Sequence, residues 1–160
     1  MRVFLVGIIL LVGAMIARKN MLPRGIRNNN PGNLRDMGSG WSGQVGRDEK
    51  GFCIFATAND GIRAMAQTAI SYEIKHQIHT LAAFGDRWAP VSDNPGAKKG
   101  EYGARLAKQL GVSPTQQFSV IQNLPKLCAA ITVNENGYNP YQLEGLMVAS
   151  AEALERKGLA

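Results

Sequence analysis

The sequence predicts a mainly α (α+β) fold, in which a helical domain with one small β-hairpin is preceded by an N-terminal transmembrane helix. Three observations carry that prediction. Residues Val3–Ala17 read VFLVGIILLVGAMIA, without a charge. From Asp60 onward, apolar residues recur at helical spacing in several segments. Between Trp41 and Phe55 the pattern changes to a loose alternation punctuated by Gly43, Gly46 and Gly51, which reads as a hairpin or three short strands.

The layout that follows is an anchor at residues 1–19, a basic Asn/Pro/Gly-rich linker and turn at 20–35, and a folded domain at 36–160. An unbroken apolar run does not suit the outer face of a soluble helix, so Val3–Ala17 belongs in lipid or in a signal peptide. As a helix it spans roughly 22 Å, short of the ~30 Å hydrocarbon core, and Arg2, Arg18 and Lys19 close the gap by snorkelling. A cleaved signal peptide is the rival reading. The run lacks an A-x-A site, and Arg18-Lys19 stands where small residues are expected. The expected location is therefore the virion membrane or the host inner membrane, with a single-pass N-terminal anchor and the domain acting in the periplasm. More positive charge follows the span than precedes it, which favours the domain on the positive-inside face and suits a virion membrane better.

In the linker, Pro23, Gly25, Pro31 and Gly32 block regular structure, while Asn28, Asn29, Asn30 and Asn33 favour ordered Asx-turns. Beyond the hairpin, Asp60 reads as the N-cap of a helix to Lys75, whose face is Ile62, Met65, Ala66, Ala69 and Ile70. Further helices are expected at Thr80–Trp88, Lys99–Leu110, Leu124–Asn134 and Tyr141–Lys157, with Gly111 and Gly137 as stops. The stretch from Pro90 to Gly96 separates the second from the third.

At 160 residues, 45% hydrophobic and 19% charged, the chain suits one globular domain and is not disordered. Its formal charge of +6 is unevenly distributed. Arg2, Arg18, Lys19, Arg24, Arg27 and Arg35 all precede the first acid, Asp36, and the remaining 12 basic and 12 acidic residues balance. A nucleic-acid-binding face spread over the domain is not expected. Cys53 and Cys128 form no C-x-x-C and are expected as two buried thiols, with one disulfide as the alternative. His76 and His79 read as solvated, and neither a metal site nor a cofactor motif is present in the sequence.

The carboxylates carry the chemistry. Glu135 closes the apolar segment LPKLCAAITVNE. A carboxyl at that last turn is poorly solvated and meets the negative helix end, a setting that favours the proton a glycosidase acid must donate. Glu49, or Asp48 beside it, offers a second carboxylate from the hairpin. Glu73, Glu101, Glu144, Glu152 and Glu155 read as solvated helix faces. Trp41, Trp88, Tyr102, Tyr138 and Tyr141 suit sugar stacking or core packing.

The segment from Arg24 to Leu34, RGIRNNNPGNL, resembles the opening of a family of small phage virion proteins. That family also shows the segments found here at Trp41–Gly43, Phe52–Phe55, Gly61–Ala64, Arg87–Pro90 and Glu135–Gly137. The stretch from Asn30 to Phe55 is similar to the middle of bacterial cell-wall glucosaminidases, and Leu127–Pro140 resembles the Glu-Ser-Gly-x-x-Pro helix end of lytic transglycosylases. In this chain Asn136 stands at the Ser position, and Glu144–Met147 resembles a Gly-Leu-Met signature. The resemblance implies a permuted lysozyme-like domain in which the catalytic helix comes last. It implies a membrane-anchored glycosidase acting on peptidoglycan glycan strands, with Glu135 and Glu49 as catalytic candidates. Asn30, Asn33, Tyr138 and Tyr141 are its substrate-binding candidates, with no cofactor or metal, the lipid membrane and other virion proteins as partners, and no nucleic acid. The alternative it leaves open is a non-enzymatic virion membrane protein with a lysozyme-like binding domain.

The anchor has a direct test. Each basic residue near anionic lipid contributes about 1 kcal/mol, so Arg18, Lys19, Arg24 and Arg27 reinforce a short span. The full-length protein is expected to stay with membranes through high salt and carbonate and to leave only with detergent. Release by carbonate alone rules the spanning helix out.

Overall fold

The chain order in the computed structural model, which describes residues 21–38 and 40–159, is α1 (Arg24–Arg27), β1 (Gln44–Arg47), β2 (Cys53–Phe55), α2 (Ala58–His76), α3 (Leu81–Trp88), α4 (Glu101–Leu110), a 3-10 turn (Ile121–Asn123), α5 (Leu124–Asn136) and α6 (Leu143–Arg156). The architecture is mainly helical with one small antiparallel sheet. The expected anchor at Val3–Ala17 lies outside the described residues, and among those described no helix is long and apolar enough to cross a membrane.

Each helix boundary has a local cause. α2 begins two residues earlier than Asp60 because Thr57 is its N-cap. The Thr57 hydroxyl accepts from the Asp60 amide while the Asp60 carboxylate accepts from the Thr57 amide, so Asp60 completes a capping box. α4 begins at Glu101, not Lys99, because Gly100 sits at φ 77 and its amide donates to Asp86 Oδ1 at 2.6 Å. α6 begins at Leu143 because an Asx-turn, in which Asn139 Oδ1 accepts from the Tyr141 amide, occupies the residues expected to open it. The segment expected to be only a turn-rich linker contains α1, which starts directly after Pro23.

α5 is the central helix. Leu124, Leu127, Cys128, Ala130, Ile131 and Thr132 are buried around most of its circumference, against α2, α4 and α6. Met65, Ile70, Leu81, Phe84, Leu106 and Leu146 complete this core. Burying each such side chain contributes about 1.5–3 kcal/mol, which is what fixes the helix in place. A smaller core of Cys53, Phe55 and Ala64, covered by Leu34 and Trp41, seats the hairpin on α2. Both cysteines are free and buried, and burial pushes their thiols up to about 11 for Cys53 and about 12 for Cys128.

In the hairpin, Gln44 pairs with Phe55, Gly46 with Ile54 and Arg47 with Cys53, with an irregularity between Gln44 and Gly46 that exposes Val45. This bulge explains the loose alternation of the sequence. Two helix-face acids are not simply solvated. Glu152 receives Arg63 Nη1 at 2.9 Å, while Arg63 Nη2 donates to Asp60 and to the Ser42 carbonyl, joining α2, α6 and the hairpin approach. Glu73 accepts from Ser119 and from the Ile121 amide ahead of α5.

α3 and α4 cross at two glycines. A Cβ on Gly85 meets the backbone of Gly103, and one on Gly103 meets the carbonyl of Leu81. The obstacles are backbone atoms, so no side chain can swing aside. Gly85→Ala is expected to cost about 3 kcal/mol or more, the upper end of overpacking penalties. Gly145→Ala, at an open helix position, should instead add about 0.5–1 kcal/mol. Urea unfolding of the two variants checks both signs.

Candidate active site

Glu135 stands in the last turn of α5, which Gly137 ends at φ 81. Its carboxylate lines a groove of about 490 Å³. Oε1 accepts from the Tyr102 hydroxyl at 2.7 Å and from Trp88 Nε1 at 3.2 Å, and Oε2 accepts from Asn33 Nδ2 at 2.9 Å. Three elements therefore converge on one side chain. Trp88 is the last residue of α3, Tyr102 the second of α4, and Asn33 belongs to the loop after α1. The donors face the negative end of the helix and offset it. Burial pushes the Tyr102 phenol well above its ordinary range, and the Glu135 charge and hydrogen bond push the same way, so the hydroxyl stays a donor.

The Asn-rich loop is shaped by its own amides. Asn30 is fully buried, with Nδ2 donating to the carbonyls of Leu34 and Cys53 at 2.9 Å each and Oδ1 accepting from the Leu34 amide. Asn29 donates to the Phe55 carbonyl, and Asn28 donates to Asp48 Oδ2 at 2.8 Å. Asn136 Nδ2 reaches the Pro31 carbonyl at 2.9 Å and clamps the loop to α5. Asn33 adopts the left-handed region at φ 48, which turns its side chain toward Glu135.

Of the residues expected in the site, Glu135 and Asn33 meet in the groove. Asn30 does not line it, because all its polar atoms are spent on the loop and hairpin. Glu49 is exposed in the β1–β2 turn and is not among the groove residues. Its neighbour Asp48 is the inward acid of that turn. Burial alone would raise the Asp48 pKa, but bonds from Phe52, Asn28 and Lys50, together with the Arg24 charge, outweigh it and hold the carboxyl below the usual range. Tyr138 is exposed outside the groove, and Tyr141 packs against the main core, where burial pushes its phenol up to about 12.

The sequence reading missed that Trp88 and Tyr102 are the hydrogen-bond donors to Glu135. The segment Arg-Trp-Ala-Pro was the available signal, since a tryptophan at a helix end beside a turn presents its N–H. The groove walls also carry Arg24, Arg35 and Arg87, and its second acid is Asp93 on the loop between α3 and α4. Among the described residues no group of His, Cys, Asp and Glu is arranged to hold a metal ion.

Asn30 and Asn33 separate in a paired experiment. Asn30→Ala deletes three hydrogen bonds in a buried setting and is expected to cost about 2–3 kcal/mol in urea unfolding. Asn33→Gly keeps the left-handed backbone, is expected to cost under about 1.5 kcal/mol, and frees the Glu135 carboxylate from one donor.

No family model matches the chain. Protein P5 of Pseudoalteromonas phage PM2 is 32% identical over 126 residues, which cover 76% of this chain and 76% of the phage protein. On that likeness the chain belongs to the family of phage proteins that includes Protein P5 of phage PM2.

Proposed function

We propose that this protein is a virion-associated peptidoglycan glycosidase of lytic transglycosylase type, built on a permuted lysozyme-like domain and held to a membrane through Val3–Ala17. The observation that carries the reading is the carboxylate of Glu135, fixed at a helix end in a groove by an indole, a phenol and an amide. A proton-transfer residue needs a fixed carboxyl with one oxygen open to the reacting bond. Trp88 and Tyr102 both donate to Oε1, whereas Oε2 accepts only from Asn33 and keeps a second lone pair for the transferred proton.

The reaction proceeds in two proton transfers. Glu135 donates a proton to the oxygen that links C1 of N-acetylmuramic acid to N-acetylglucosamine, and the C1–O bond breaks. The 6-hydroxyl of the muramoyl residue then attacks C1 and returns its proton to Glu135, giving an anhydro end without consuming water. The 2-acetamido group of the sugar assists at C1, so no protein nucleophile is required. Exposed at its turn, Glu49 has no part in this scheme.

Zymograms and turbidity clearing with the full-length protein in detergent test the assignment. Glu135→Gln is nearly isosteric and is expected to keep the fold while lowering lysis by at least about 100-fold, the low end of a general acid–base contribution. Glu49→Gln should lyse at the wild-type rate. Full lysis by Glu135→Gln overturns the mechanism. Folded wild-type protein that clears no wall chemotype favours the non-enzymatic virion protein.

A further inference from the structure

We infer that the groove selects glycan strands by their acidic substituents, with arginines on its walls binding carboxylates while the uncharged sugar backbone crosses Glu135. This deepens the glycan reading of the site and rests on it. Arg24 and Arg35 both lie against the ring of Phe52, their guanidinium carbons 4.3 and 4.5 Å from its centroid. Arg87 lies 5.0 Å from the centroid of Tyr72, with Nη2 2.9 Å from His76 Nε2. Stacking holds each guanidinium plane while leaving edge N–H groups to reach a carboxylate.

Arg35 and Arg87 are not consumed by the fold. Among the described residues neither Arg35 nor Arg87 has a carboxylate partner, and Arg35 donates only to the Lys50 carbonyl, at 3.3 Å. Arg24 is 3.9 Å from Asp48, whose oxygens are already taken by Asn28, Lys50 and Phe52. A second, shallower depression continues the groove, sharing Tyr72, Arg87 and Pro90 with it and adding Lys99 and Asp86, whose Oδ1 accepts from the Gly100 amide. Cations therefore line the groove at Arg24, Arg35 and Arg87 and continue to Lys99.

The arrangement of sign decides the ligand class. Glu135 and Asp93 repel an evenly charged polyanion, because a phosphate at every step must pass them. A strand with neutral sugars and carboxylates only on alternate residues keeps its anions on the walls. In peptidoglycan those carboxylates are the lactyl group of a peptide-free strand or the acids of an attached peptide.

The test is binding by the full-length Glu135→Gln protein in detergent, which holds ligand without turnover. The probes are neutral chitin oligosaccharides, peptide-free glycan strands of matched length, and peptide-bearing strands. At least one acidic form is expected to bind about tenfold more tightly than chitin, the 1.4 kcal/mol within reach of two or three exposed ion pairs. Arg35→Gln with Arg87→Gln should reduce that preference to about twofold and leave chitin affinity within about twofold. High salt should erode the preference in the same way. Which acidic form wins identifies the carboxylate that is read. Equal binding of all three probes overturns the inference even where Glu135→Gln abolishes lysis, and so does competition by single-stranded oligodeoxythymidine as strong as that by acidic strands. A charge preference in a wild-type protein that lyses nothing keeps the inference and removes only the glycosidase reading.

Discussion

A carboxylate at the C-terminal end of an apolar helix needs donors, and the fold brings them to Glu135 from three places that are remote in sequence. Trp88 is 47 residues away, Tyr102 is 33 and Asn33 is 102. Leaving a partly buried acceptor unpaired costs about 1–3 kcal/mol, and more when it is charged. The end of α3, the start of α4 and the loop after α1 must therefore all be right together. A shift in any one of them leaves an oxygen of Glu135 without its partner.

The supports beneath that contact divide by magnitude. Apolar burial of Leu127 and Ile131 contributes more per side chain than a net hydrogen bond, at about 1.5–3 against roughly 1 kcal/mol, so packing sets where α5 lies. Hydrogen bonds then set which way the carboxylate points. The glycine crossing of α3 and α4 brings Trp88 and Tyr102 to the same face of α5. Asn136 binds the Pro31 carbonyl and Asn30 binds the hairpin, so the loop carrying Asn33 has little freedom of its own.

The parts of this plan legible in the sequence were those written in local pattern. Helix faces such as Ile62, Met65, Ala66, Ala69 and Ile70 repeat at 3.6-residue spacing, and all five are buried. Glu135 was legible because an apolar run ends on it one residue before the helix does. Its donors were not, because the crossing that unites them depends on Gly85 and Gly103, which look like ordinary small helix residues until a neighbouring backbone is seen against them. Asp48 and Glu49 show the same limit at closer range. They are adjacent acids in one turn, and hydrogen bonds from Lys50, Phe52 and the remote Asn28 turn Asp48 inward while Glu49 stays exposed. Charge was misread in a similar way. The N-terminal excess looked like linker and anchor, yet Arg24 and Arg35 are part of the groove wall.

The number of fixed carboxylates also bears on the chemistry. Hydrolysis by the usual inverting or retaining route uses a second carboxylate at a set distance from the first, held firmly enough to activate water or to attack. Asp93, the other acid of the groove, is exposed on the loop between α3 and α4, and its Oδ1 accepts from the adjacent Ser92 hydroxyl at 3.1 Å. A single bond from the preceding residue does not tie a side chain to the helix that carries Glu135. Asp48 is fixed but turned into the hairpin, and Glu49 faces solvent. One firmly held carboxylate in the groove suits a reaction in which the substrate supplies its own nucleophile and the protein supplies one proton that it takes back. In that scheme the three donors on Glu135 hold its position through both transfers, since an indole, a phenol and an amide can donate to the carboxylate before and after the proton has moved.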